Sequence, residues 1–193
     1  LADWLADALK PLPTCVIGLD RYYGDLSHLT PGERARTNFD EPGAIEWERL
    51  HRDLHSLLNG NETAIPCYDF ATHTRRQQTA RVQPGAVILL EGLFALSDPR
   101  IREWAAVRVF VDTPAETCLR RRVERDVRER GREEPRVRRR FREHVLPMFR
   151  QHIEPVRAFA DFVVSGDGDA RGRDALRAAL RQATANSRKG VPE

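Results

Sequence analysis

Lysine is nearly absent: Lys10 and Lys189 are the only two in 193 residues, so arginine carries almost all of the positive charge. Arginine forks match phosphate geometry, although so uniform a usage is also what genomic base composition produces. The formal net charge is only +3, a weak hint of anionic ligands and no case for nucleic acid. Cysteine is scarce and odd in number. Cys15, Cys67 and Cys118 are widely scattered, which excludes a disulfide framework and suits buried reduced thiols. No apolar run approaches membrane-spanning length and no signal-peptide pattern is present. No membrane partner and a cytoplasmic location are therefore expected. The length fits one domain, or one domain with a small inserted lid.

Strands alternate with helices along the chain. Leu1, Leu5, Ala8 and Leu9 mark one apolar face at helical spacing, with no capping Ser, Thr, Asp or Asn ahead of it. After Pro11 and Pro13, residues 15–20 read as a buried strand ending in the carboxylate of Asp20. Residues 21–43 are polar loop with a short helical turn, and 45–58 form an amphipathic helix stopped by Asn59-Gly60-Asn61. Segments around 63–66 and 79–82 can pair as a hairpin. Residues 86–91, 107–112 and 161–164 are further strands. Helices are predicted at about 98–105, 114–130, 147–159 and 172–184. This order predicts an α/β fold with a parallel sheet.

Chemistry concentrates in three places. The run Ile65-Pro66-Cys67-Tyr68-Asp69-Phe70-Ala71-Thr72-His73-Thr74-Arg75 brings aromatic rings, a carboxylate, an imidazole and a guanidinium into one short turn. Such a turn can stack on a flat heterocycle and hydrogen-bond its edge. Asn38-Phe39-Asp40 adds an acceptor suited to sugar hydroxyls, since an ionised carboxylate facing two donors makes strong bonds. Asp20 and Glu91 end strands, and ligands collect at the carboxyl ends of strands in open parallel sheets. A kinase acting on a hydroxyl needs one carboxylate for the proton and another beside hydrated Mg²⁺. Asp112, before Thr113-Pro114, reads instead as a helix-start residue.

These segments resemble the uridine kinase family from Leu1 to about Asp169. The resemblance implies a parallel-sheet P-loop kinase fold over residues 1–185, with a β-hairpin insertion at about 61–84, an Arg-rich lid at about 120–145 and a polar tail at 186–193. It implies ATP-dependent phosphorylation of the 5′-hydroxyl of uridine or cytidine in pyrimidine salvage, with ATP or GTP as donor and Mg²⁺ as cofactor. Asp20, followed by Arg21-Tyr22-Tyr23, would be the catalytic base and would share Mg²⁺ with Glu91. Phe39, Asp40, Tyr68, Phe70 and His73 would bind the nucleoside. Arg75 is either part of that pocket or a solvated side chain. In the lid, Arg122 and Arg132 would lie near the nucleoside, with Arg125 and Arg130 near phosphate. Asp169 would lie near the ATP adenosine. Where the family commonly has a Gln touching the nucleoside, Arg140 stands here, which leaves the choice among pyrimidines open. The intact protein is expected to be a homo-oligomer with nucleoside and nucleotide as its small-molecule partners.

The loop Gly-x-x-x-x-Gly-Lys-[Ser/Thr], which wraps phosphates with backbone N–H groups, appears nowhere in the chain. In the resembled fold it precedes the helix that opens this sequence. Its feeding strand lies between those ending at Glu91 and Asp112. The expectation is a truncated chain in which two strand edges face a gap, inactive and poorly stable as written. Competing readings are a phosphoribulokinase-like or pantothenate kinase-like enzyme, a non-catalytic nucleoside-binding homologue, and an RNA-binding protein using the arginine helix. The first lacks a need for the stacking turn. The last is opposed by the acids interleaved at Glu124, Asp126, Glu129, Glu133 and Glu134.

Overall fold

The computed structural model describes residues 1–168 and 170–189. Helix α1 (Ala2–Ala8) leads into strand β1 (Thr14–Gly18). A short helix α2 (Pro31–Arg34) precedes α3 (Trp47–Leu58). The hairpin β2 (Thr63–Asp69) and β3 (Thr74–Val82) is followed by β4 (Val87–Glu91) and α4 (Pro99–Trp104). Then come β5 (Val109–Asp112), α5 (Ala115–Arg130), α6 (Glu134–Arg140), α7 (Leu146–Met148), β6 (Phe162–Ser165) and α8 (Ala170–Lys189).

Strand β4 is the continuous apolar run Val-Ile-Leu-Leu, the composition of a strand covered on both faces. It pairs in parallel with β1, which sets Gly18 opposite Glu91 at their carboxyl ends. Strands β5 and β6 form a second parallel pair with Asp112 opposite Ser165. The hairpin is a separate antiparallel ribbon, with Thr63 opposite Val82 and Tyr68 opposite Arg75. Helix α3 turns Leu50, His51, Leu54 and Leu57 inward at helical spacing and ends before Gly60, whose positive φ of 80° breaks the helix. The main core joins these residues to Ile17, Leu19, Tyr22, Ile65, Phe94 and Phe110. A satellite core of Leu119, Val123, Val137 and Phe141 ties α5 to α6.

Three boundaries differ from the pattern of the sequence. β1 stops at Gly18, and Asp20 lies in a 3₁₀ turn, Leu19–Tyr22, rather than on the strand. A side chain at position 18 would put Cβ 2.8 Å from Glu91 Oε1, so the bare backbone there admits the carboxylate. The predicted helix over 147–159 is instead α7 between two π-helical turns, Phe141–Val145 and Phe149–Ile153, followed by a 3₁₀ turn at Pro155–Phe159. Pro147 and Pro155 donate no backbone N–H, so the regular ladder cannot run through them. The last helix continues to Lys189, through the start of the stretch expected to be a polar tail.

β4 and β5 do not pair with each other. Both line one cavity of about 1970 Å³, whose apolar end is formed by Leu5, Leu89, Val107, Val109 and Leu180. The expected gap between the strands ending at Glu91 and Asp112 is present as a real space.

Candidate active site

The polar end of this cavity is lined by Asp20, Tyr23, Phe39, Asp40, Tyr68, Phe70, His73, Glu91, Arg122, Arg125 and Arg132. Glu91 ends β4 and Asp20 follows β1, so the parallel pairing of those strands sets the two carboxylates at one end of the sheet. Burial pushes the Asp20 carboxyl above the ordinary range, opposed by a hydrogen bond from Tyr23 and the charge of Arg125, and reinforced by Asp40. Glu91 is likewise raised by burial, then by the negative charges of Asp20 and Asp3. Asp20 opens onto the cavity and reaches water, yet the protein around it disfavours its charge. Tyr23, raised by burial and by the neighbouring carboxylates of Asp20 and Asp40, donates its hydroxyl to the Phe39 carbonyl at 3.4 Å.

An aromatic wall follows. Phe39 and His73 stack with centroids 4.7 Å apart and planes 20° from parallel. Tyr23 meets Phe39 edge-on at 5.1 Å and Tyr68 at 5.6 Å. Phe70, half exposed, lies edge-on to Tyr68 at 5.4 Å. His73 has a positive φ of 55°, which turns the hairpin tightly enough to bring its ring over Phe39. Tyr68 is buried with a hydroxyl that has no hydrogen-bond partner, and burial raises its pKa to about 12. Buried hydroxyls normally find a partner, so this one is a candidate for ligand contact.

Arg75 is no solvated side chain. Its Nη2 meets Glu46 Oε2 at 2.5 Å and donates to the Tyr23 carbonyl at 3.3 Å, while its backbone N–H donates to Asp25 at 3.0 Å. It pins the hairpin to the segment bearing Tyr23 and so positions the wall rather than facing the cavity.

The arginines of α5 and α6 converge on Asp126, which is fully buried. Arg125 donates through Nε and Nη2 to Oδ1 at 2.9 and 2.8 Å, and Arg132 donates through Nη1 to Oδ2 at 2.9 Å. Arg122 Nε lies 3.9 Å from Oδ2. Gly131, in left-handed conformation with φ 59°, folds the chain back so that the Arg132 N–H also reaches the Asp126 carbonyl at 3.1 Å. Burial lowers the Arg122 pKa, while Asp40 and Asp126 oppose that shift. Asp126 read in the sequence as one of several interleaved acids. Its signal was the i, i+4 spacing from Arg122 combined with Gly131. The side chain of Arg130 and all of Asp169 lie outside the described residues.

Among the described residues, no group of three or more His, Cys, Asp or Glu is placed to hold a metal ion. Mg²⁺ usually needs less, one or two carboxylates with the rest from water and phosphate. The Asp20–Glu91 pair has hard oxygen donors and mutual repulsion that a cation would relieve, so it fits. No helix among the described residues is long and apolar enough to cross a membrane.

The phosphoribulokinase / uridine kinase family matches residues 14–170. The uridine kinases of Salmonella paratyphi B and Salmonella typhimurium are each 44% identical over 168 residues, 86% of this chain and 79% of theirs. The solved phosphoribulokinase of Rhodobacter spheroides superposes with a TM-score of 0.62 at 14% identity, over 84% of this chain and 63% of that one, a likeness of fold alone. The fold is that of the P-loop kinases, and the family's members are phosphotransferases that in general use a nucleotide donor and Mg²⁺. With a family match across most of its length and relatives at that identity, the chain belongs to the phosphoribulokinase / uridine kinase family.

Proposed function

We propose that residues 1–185 form one kinase domain that phosphorylates the 5′-hydroxyl of a pyrimidine nucleoside, uridine foremost, with ATP or GTP as donor. One observation carries the reading. The strand-end carboxylates and the aromatic wall line the same cavity, a combination suited to a sugar hydroxyl attached to a flat base. A sugar-phosphate substrate needs no stacking wall, and the 44% identity to named uridine kinases points the same way.

In this reading Asp40 accepts hydrogen bonds from the ribose hydroxyls, and Phe39, Tyr68, Phe70 and His73 hold the base. Asp20 orients the 5′-hydroxyl and accepts its proton as the phosphoryl group transfers. The raised pKa of Asp20 makes it a better base than an unperturbed carboxylate. Arg122 and Arg132 close over the nucleoside, and Arg125, beside Asp20, faces the transferring phosphate. Arg130 and Asp169 complete the nucleotide side. Glu91 and Asp20 would hold Mg²⁺, which when bound neutralises phosphate charge.

The test is uridine-dependent ADP release, measured by coupled assay on the chain with a strand and a Gly-x-x-x-x-Gly-Lys-Ser loop fused ahead of Leu1. Turnover with uridine and none with ribulose 5-phosphate is expected. The reverse preference would replace the reading with a phosphoribulokinase-like one.

A further inference from the structure

The hairpin turn that carries His73 is held on both sides by one loop. Arg34 ends the short helix α2, whose first turn is fixed by a capping box. There the Thr30 hydroxyl accepts from the Glu33 N–H at 3.4 Å, and the Glu33 carboxylate accepts from the Thr30 N–H at 2.8 Å. From that base the Arg34 guanidinium donates through Nε to the Leu29 carbonyl at 2.8 Å and through Nη2 to the Ser27 carbonyl at 2.9 Å. Its Nη1 donates to the Thr72 carbonyl at 3.3 Å. All three acceptors are main-chain oxygens, two in the loop before α2 and one in the hairpin turn. Asp25, in the same loop, accepts from the Arg75 N–H at 3.0 Å and is itself fixed by the Ser27 hydroxyl at 2.7 Å. Thr72 and Arg75 flank His73, so these two contacts bracket it.

His73 needs such support. Its φ of 55° is uncommon for a residue with a side chain, and such a conformation persists where the surroundings hold it. The conformation sets the imidazole against Phe39, with centroids 4.7 Å apart. Phe39 lies five residues beyond Arg34 on the same segment. Arg34 therefore fastens the turn bearing one ring to the segment bearing the other. Arg34 and Thr72 line the cavity beside both rings, and the Arg34 charge opposes the rise that burial gives the Tyr68 hydroxyl. A rigid planar fork suits a span between separate carbonyls, whereas a lysine ammonium is a compact point charge on a flexible stem.

We infer that Arg34 is a positioning residue for base recognition: it holds the Thr72 carbonyl so that His73 stays against Phe39, and it acts through that wall. This rests on the nucleoside reading proposed above. The role belongs to binding and not to phosphoryl transfer, because Asp20 and Glu91 are placed by the strands β1 and β4.

The experiment is calorimetric titration of uridine into the chain, Arg34→Met, Arg34→Lys, His73→Ala and the double variant Arg34→Met/His73→Ala. Arg34→Met should weaken uridine about tenfold, the scale of coupling between residues that share one network. Arg34→Lys keeps the charge but not the fork, and should weaken binding nearly as much. His73→Ala should also weaken it, and the double variant should lie within about twofold of His73→Ala alone, because the strut then supports nothing. Losses that simply multiply in the double variant would mean that Arg34 acts elsewhere and would overturn the inference. Unaltered affinity in Arg34→Lys would overturn it as well, by showing that charge and not the span is what counts. If Arg34→Met does not fold, the same cycle run with Arg34→Lys decides. With a phosphate-binding strand and loop fused ahead of Leu1, Arg34→Lys should raise KM for uridine about tenfold and change kcat less than about threefold. An equal fall in kcat would contradict a role in binding alone. These failures would leave the nucleoside site standing, whereas absence of saturable uridine binding by the unsubstituted chain would overturn the nucleoside reading and this inference with it.

Discussion

Asp20 holds a charge that its surroundings disfavour. Burial raises its pKa, and so does the carboxylate of Asp40, while Asp20 in turn raises Glu91. A carboxyl whose pKa is higher folded than unfolded stabilises the fold when neutral. That contribution is complete below the unfolded pKa and is lost as pH rises through the folded one. The proposed catalysis runs the other way, since a general base must be ionised. Asp20→Asn should therefore leave the thermal midpoint unchanged or raise it, while lowering turnover of the loop-bearing chain by about 10²–10⁴. A variant that keeps its turnover would remove Asp20 from the mechanism. The acid limb of the kcat/KM profile should lie above the range of an ordinary exposed carboxylate, and a profile flat down to that range would contradict the assigned ionisation. Asp40→Ala acts differently. It should chiefly raise KM for the nucleoside by about tenfold or more, as loss of a charged hydrogen bond implies, with kcat little changed. Asp20, Asp40 and the aromatic turn stand out in the sequence because carboxylates near strand ends and an aromatic-rich turn are local patterns. The partnerships of Arg75 with Glu46 and of Tyr23 with Phe39 do not, because each joins residues far apart in the chain.

The helices α5 and α6, expected to form a lid, show how an element can read correctly and still conceal its organising residue. Helix α5 was predicted to within a residue, and its arginines look like a solvated face. What the pattern of charges could not show is that Gly131 reverses the chain so tightly that Arg132 returns to the residue six positions back. Asp126 is thereby sealed from water beneath the guanidinium groups it anchors. Removing one partner of a buried ion cluster leaves the others uncompensated, so Asp126→Ala should lower stability by about 3–5 kcal/mol in urea unfolding. The same variant should weaken nucleoside binding, because Arg122 and Arg132 lose their common support. A loss under 1 kcal/mol would show the cluster to be a solvated surface network after all. The opposite failure of reading occurs at 141–159. There the apolar spacing is helical, but two prolines force π and 3₁₀ turns, and periodicity alone carries no record of how a ladder is interrupted.

The parallel strands form two pairs that do not hydrogen-bond to each other, with an apolar space between them. α1 contributes to bridging the halves, since Leu5 packs with Val164 and Leu176 of the β5–β6 side and against Leu89 of β4. The facing edges of β4 and β5 leave backbone donors and acceptors without strand partners, and Leu89, Val107 and Val109 are only partly covered. The gap was anticipated from the missing phosphate loop. That its walls keep the parallel pairing of β1 with β4 and β5 with β6 follows from apolar strands each backed by helices, a local source of order that does not need the middle of the sheet. A fused strand entering this space would pair on both edges and bury these aliphatic side chains, each contributing about 1.5–3 kcal/mol when fully covered. The urea midpoint of the fused chain should accordingly rise by several kcal/mol equivalents over residues 1–193 alone. The unextended chain should still bind uridine, because the wall and Asp40 lie at the other end of the cavity, yet it should release no ADP, because nothing in its sequence cradles the phosphates. Nucleoside binding without turnover in the short chain, and both in the fused one, would separate recognition from chemistry along the length of a single cavity. Turnover by the short chain would mean that its arginines alone can align and neutralise the donor.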